Sequence, residues 1–154
     1  MADDDRSAVS ALAEFVPRLA RVIAVALQSD PSVALTIRQY RTLERLLAGP
    51  LRTSELASFS DVSQPTATTV ISSLEARDLV VRTPDPDDGR ASLLEITTLG
   101  RTTFESAHHR VLDRLAVITE DLDDQAAAAL WEMVPVLLAG MDRIRDIPHD
   151  FERK

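Results

Sequence analysis

The sequence predicts a mainly α-helical chain carrying one small β-hairpin, and three observations predict it. Apolar residues recur at three- and four-residue steps over most of the length. The runs "DLVVRT" and "SLLEITT" are short, β-branched or apolar, and flank the turn-forming stretch "PDPDDGRA". Two short helical patterns, separated by a few residues, stand immediately before that hairpin. With 154 residues, the chain fits one domain, or one domain plus an oligomerisation extension.

The elements follow in order. From Ser7 to Leu27, the residues Val9, Leu12, Phe15, Val16, Leu19, Ile23 and Leu27 mark an amphipathic helix of about five turns. Pro17 is expected to kink it or to delay its start to near Val16. "SDPSVALT" reads as a connector, and Thr36 as the N-cap of a second helix with Ile37, Tyr40, Leu43, Leu46 and Leu47 turned inward. Gly49-Pro50 stops it. Thr53 is expected to cap a short third helix, with Glu55 in its first turn and Leu56 and Phe59 inward. Ser63 is expected to cap a fourth, "QPTATTVISSLEAR", with Pro65 where a missing N–H costs nothing. Beyond the hairpin come two long helices, apolar along Phe104, Ala107, Val111, Leu115 and Ile118, and along Leu130, Met133, Val134, Leu137, Leu138, Met141 and Ile144. Tyr40 and Trp131 are expected in the core or at an interface between copies.

Composition removes several function classes. The chain has no cysteine, so disulfides, thiolate metal sites and thiol redox sensing are excluded. No apolar run approaches the ~20 residues of a membrane span, and the acidic start "MADDDRS" argues against a targeting peptide, so a cytoplasmic location is expected. No Ser-His-Asp spacing, phosphate-cradling glycine loop or paired-carboxylate motif is visible, so neither an enzyme nor a cofactor is expected. A calcium loop starting at Asp85 would need glycine and glutamate where Arg90 and Ile96 stand. Asp85 and Asp87 read as solvated turn residues. Glu105, His109 and Asp113 share a helix face at a spacing that permits two metal ligands, but helical histidines more often face solvent or an interface, and no metal site is assigned.

The net charge of −8 argues against a broad basic surface. Residues 1–50 hold six arginines against six acids, residues 51–105 five against nine, and residues 106–154 six basic groups against ten. Any contact with DNA must therefore rest on a few placed groups.

Two short helices followed by a two-stranded hairpin form the winged helix-turn-helix arrangement, whose second helix enters the major groove. At 100° per residue, Ala67, Val70, Ile71 and Leu74 share the inward face of that helix. Pro65, Thr69, Ser72 and Ala76 share the opposite one, flanked by Thr66, Thr68 and Ser73. Solvated helix faces ordinarily favour Glu, Lys, Arg and Gln. Short hydroxyls instead permit close approach to phosphates and base edges, and Gln64 is the residue suited to a bidentate contact with adenine.

At this point the residues support a resemblance. Leu35-Thr36 before a helix with Gln39 and Tyr40, a Leu56-Ala57 helix, a Ser/Thr-rich helix ending in Leu74-Glu75, a strand with Leu79-Val80, the wing run Asp88-Gly89-Arg90-Ala91, and the Thr97-Thr98-Leu99-Gly100 run together resemble the core of a MarR-type regulator over residues 35–100. The resemblance implies a homodimer bound to a pseudo-palindromic double-stranded DNA operator, with residues 35–98 as the DNA-binding domain and residues 1–34 and 99–148 as a helical dimerisation region. It implies release by a small aromatic acid or phenolic effector. The expected DNA contacts are Thr53, Ser63, Gln64, Pro65, Thr66, Thr68, Thr69, Ser72 and Ser73, with Arg90 in the minor groove and Asp88 orienting it. One or two of the arginines on the first two helices would meet an effector carboxylate. Many members carry basic residues where Thr69 and Gly89 stand, and a glycine where Asp78 stands, so a shallow salt dependence is expected. The alternative is a winged-helix module that binds protein rather than DNA.

Overall fold

The computed structural model describes residues 2–59, 63–86, 88 and 91–145, with the side chains of 2–6, 57–59, 64, 144 and 145 outside that description. The elements run α1 (Ala2–Gln28), α2 (Ile37–Leu46), β1 (Leu51–Arg52), α3 (Thr53–Phe59), α4 (Gln64–Glu75), β2 (Val80–Pro84), β3 (Ser92–Ile96), α5 (Thr98–Thr119) and α6 (Asp124–Arg145). The chain divides into two compact units, residues 1–114 and residues 115–154.

Within the first unit, α1 is one continuous helix that begins at Ala2, ahead of the expected start near Ser7 or Val16, with Pro17 inside it. Pro17 lies on its exposed face, where the carbonyl left without a partner meets water. Only the C-terminal end of its apolar stripe is covered: Ala26 and Leu27 are fully buried, whereas Val9, Phe15 and Val16 are about half exposed. Thr36 caps α2 as expected, in a reciprocal box in which its hydroxyl accepts from Gln39 N–H and Gln39 Oε1 accepts from Thr36 N–H at 2.8 Å. Tyr40, Leu43 and Leu46 are buried, while Ile37 stays partly exposed. Gly49 ends the segment at φ +146°, a backbone that side-chain-bearing residues rarely adopt.

The wing is a three-stranded antiparallel sheet in the order β1-β3-β2, not a two-stranded hairpin. Leu51 pairs with Leu94 and Arg52 with Leu93, while β2 runs from Val80 opposite Ile96 to Pro84 opposite Ser92. Leu94 at the centre is fully buried. Because β1 supplies Arg52 immediately before α3, Thr53 is the first helical residue rather than its cap; Glu55 accepts the Arg52 N–H at 2.6 Å instead.

Helix α4 closes with a 6→1 bond from Leu79 N–H to Leu74 and a 5→2 bond from Asp78 N–H to Glu75. That motif needs a left-handed residue, and Asp78 takes it at φ 55°. Aspartate tolerates this conformation better than most residues, so the turn forms without a glycine. Thr97 N-caps α5, accepting Gly100 N–H at 2.9 Å while donating to Asp78 carbonyl at 2.7 Å. Phe104, Ala107 and Val111 bury the near face of α5, where Tyr40, Phe104 and His108 stack with centroids 5.0 and 5.5 Å apart. The Tyr40 hydroxyl is hydrogen-bonded to His108 Nδ1 at 2.7 Å. Burial and the charge of Glu44 hold the Tyr40 phenol above its ordinary value.

The second unit consists of the end of α5 and α6. Among its described residues none is buried. Trp131 is 83% exposed, and Met133, Val134, Val136, Leu138 and Met141 are all open. No described helix is long and apolar enough to cross a membrane.

Candidate nucleic-acid interface

Helix α4 carries the candidate surface. Ala67, Ile71 and Leu74 are buried against α2 and α3, with Val70 half-buried. This leaves Pro65, Thr68, Thr69, Ser72 and Ala76 exposed on the opposite side. The expected inward and outward faces are thus the observed ones. Ser63 precedes the helix with extended backbone, but its side chain makes no capping bond; its hydroxyl pairs with that of Thr66 at 2.9 Å. Its carbonyl starts the helix by accepting Ala67 N–H at 3.0 Å.

Hydroxyls on this helix are already engaged within it. Thr69 donates to the carbonyl of Pro65 at 3.0 Å, and Ser73 to that of Val70 at 2.7 Å. Ser73 also accepts from Gln39 Nε2 at 2.9 Å, which ties α4 to α2. Ser73 is half-buried and serves the packing of the two helices rather than standing on the outer face. A back-bonded threonine still presents its methyl group and its oxygen lone pair outward.

The wing is fixed at its base by residues far apart in sequence. Asp85 is buried, and its carboxylate accepts from Arg52 Nε at 2.8 Å and Nη2 at 2.5 Å. It is therefore an anchor, not a solvated turn residue, because the β1 strand brings Arg52 over it. That bond, with the negative charge beside it, holds the guanidinium above even its ordinary high value. Asp88 closes the turn by accepting Ala91 N–H through its carbonyl at 2.8 Å, and Ala91 carbonyl accepts Asp85 N–H. Arg82 on β2 donates to Glu75 at 2.7 Å and reaches Thr53 and Ser92 at 3.3 and 3.4 Å. Sheet, α3 and the end of α4 meet at that one guanidinium.

The comparisons agree with this geometry. A family model described as MarR family matches residues 35–92. The HTH-type transcriptional regulator FarR of Neisseria gonorrhoeae is 32% identical over 114 residues, which cover 73% of this chain and 75% of that protein. The chain belongs to the MarR family. An uncharacterized HTH-type transcriptional regulator of Bacillus subtilis (strain 168), YxaD, is 31% identical over 86 residues, 56% of this chain; the match spans only 60% of that protein. The crystal structure of wild-type MarR in its apo form from E. coli superposes with a TM-score of 0.73 at 23% identity, covering 84% of this chain and 94% of that one, and attests the fold.

Of the contacts expected of this MarR-family chain, the structure brings Pro65, Thr68, Thr69 and Ser72 onto one exposed face, with Thr66 and Ser63 at its start. Thr53 is half-buried and reached by Arg82. Arg90, Gly89, Asp87 and the Gln64 side chain lie outside the described residues. Asp88 is exposed at the wing turn. His109 Nδ1 is held against the Glu105 carbonyl at 2.8 Å, and no group of three candidate metal ligands occurs among the described residues.

Among the cavities that the described residues of the first unit form, two bear on function. One, of about 550 Å³, lies among α1, the start of α2 and α4, lined by residues that include Gln28, Leu35, Arg38, Gln39, Thr69 and Ser73. The other, of about 330 Å³, sets Arg18, Arg21 and Arg114 around Val22 and Val25. Arg18 is occupied by Glu14 at 2.6 Å, whereas Arg21 and Arg114 make no ion pair among the described residues.

Proposed function

We propose that this MarR-family chain regulates transcription as a homodimer bound to a pseudo-palindromic DNA operator, and is not an enzyme. The observation that carries the reading is the exposed, uncharged, hydroxyl-rich face of α4, set between α3 and a wing whose base is anchored by Arg52 and Asp85. Small side chains let the α4 backbone approach base edges, with Gln64, Pro65, Thr66, Thr68, Thr69 and Ser72 as the contacting residues. Thr53 and Ser63 border this face, Arg90 enters the minor groove, and Asp88 orients it. Residues 35–98 form the DNA-binding domain. Residues 1–34 and 99–148 form the dimerisation region, where a second copy covers the apolar surface of α6 and the open half of the α1 stripe.

A small aromatic acid releases the operator by entering the arginine-lined cavity between α1 and α5. Two valines accept the ring there, and Arg21 and Arg114 offer planar forks to its carboxylate.

An electrophoretic mobility shift with the DNA flanking the chain's own gene tests the reading. Wild type should retard that duplex, and Arg90→Ala should weaken retention by about 1–3 kcal/mol, or about fivefold to 150-fold, as loss of a groove contact does. No retardation at low salt, or full binding by Arg90→Ala alongside capture of a protein partner, rejects it in favour of a protein-binding module.

A further inference from the structure

Between Gln64 and Glu75, helix α4 holds no cation. Yet DNA affinity comes largely from phosphate neutralisation, each contact releasing condensed counterions. The structure shows where a cation is supplied beside this helix. Arg38, in the first turn of α2, lines the same 550 Å³ groove as Thr69, Val70 and Ser73. Its neighbour Gln39 bonds Ser73 at 2.9 Å, which fixes that turn of α2 against the Thr69–Ser73 flank.

The other arginines next to α4 are committed inside the protein. Arg77 donates to the Ala34 carbonyl at 2.7 Å, and Arg82 to Glu75 at 2.7 Å. Arg52 is bound by Asp85. Arg38 is exposed and makes neither a hydrogen bond nor an ion pair among the described residues. An unpaired guanidinium keeps its whole fork for a partner, and a fork suits a phosphate better than a point charge does.

We propose that Arg38 is a backbone anchor: its guanidinium grips a phosphate of the DNA strand bordering the Thr69–Ser73 flank of α4. The inference rests on the DNA-binding reading above and adds a residue to it. Threonine at position 69 keeps the helix face slim, and the cation that face lacks is delivered from the neighbouring helix. Such a contact sets register and affinity without reading sequence.

Fluorescence anisotropy with the full chain tests it, using a random-sequence duplex and a duplex from the DNA flanking its gene, each titrated with salt. Arg38→Gln should reduce the slope of log affinity against log salt by about 0.9 for each subunit bound. Both duplexes should weaken by the same factor, with the melting temperature unchanged. Arg38→Lys should keep the wild-type slope. An unchanged slope in Arg38→Gln, or weakening confined to one duplex, overturns the assignment. Should Arg38→Gln melt early, its slope is read below the onset of melting, where the folded protein decides on the same terms. Failure of wild type to bind either duplex instead defeats the DNA-binding reading itself, so the two failures are distinct.

Discussion

Arg21 and Arg114 approach the valines of the smaller cavity from different helices, and neither has an internal partner among the described residues. A cation left unpaired beside apolar surface suits an amphiphilic anion, because ring and carboxylate are satisfied together. Benzoate should therefore raise the melting temperature, by as much as about 2.7 kcal/mol of stability at a hundredfold excess over its dissociation constant. Arg21→Ala with Arg114→Ala should abolish that shift. An equal shift with neutral benzamide, or one that survives in the double variant, would rule out the arginine fork as the reason. At this scale the sequence was informative where periodicity decides and silent where tertiary partners do. The exposure of Thr69 and Ser72 follows from their angular position on a helix. The commitment of Ser73 to Gln39, and the burial of Asp85 under Arg52, depend on residues 34 and 33 positions away. No local pattern carries such pairings.

Among the elements, α2, α3, α4 and the β2-β3 hairpin are legible in the sequence because amphipathic spacing and turn residues mark them. The strand β1 was not, since two residues carry no periodicity. Missing it also misplaced the start of α3, where Glu55 rather than Thr53 satisfies the entering backbone. The junction of β3 and α5 rests on a close approach. A Cβ at Gly100 would lie 2.1 Å from the Leu79 carbonyl oxygen and 2.8 Å from the Ile96 side chain. Backbone cannot yield as a flexible side chain does, so Gly100→Ala should destabilise the fold by at least about 1–3 kcal/mol. Denaturant unfolding of the variant checks this; a midpoint equal to wild type would show that the helix start can shift without cost. The glycine in the Thr97–Gly100 run is thus explained by packing, with Thr97 capping the helix it opens.

For the whole molecule, the exposed apolar residues decide the argument. Leu130, Val134, Leu138 and Met141 recur along α6 at four- and three-residue steps, all open to solvent in the single chain. A stripe of this length left in water lowers solubility, which supports the dimer proposed above. Under the proposed dimer on a two-half-site operator, Leu138→Glu should shift sedimentation toward monomer and weaken operator binding with it. A variant that sediments as wild type would place the contact elsewhere. The net charge of −8 favours solubility and, under the proposed DNA binding, leaves affinity to a few placed cations. Gln39 uses its oxygen on Thr36 and its nitrogen on Ser73, so both ends of the group are spoken for. The Thr36 partner is a backbone N–H, which any residue but proline supplies, whereas Ser73 accepts through its side chain; replacing Ser73 strands the Gln39 Nε2, which makes positions 39 and 73 a pair expected to covary rather than two independent sites.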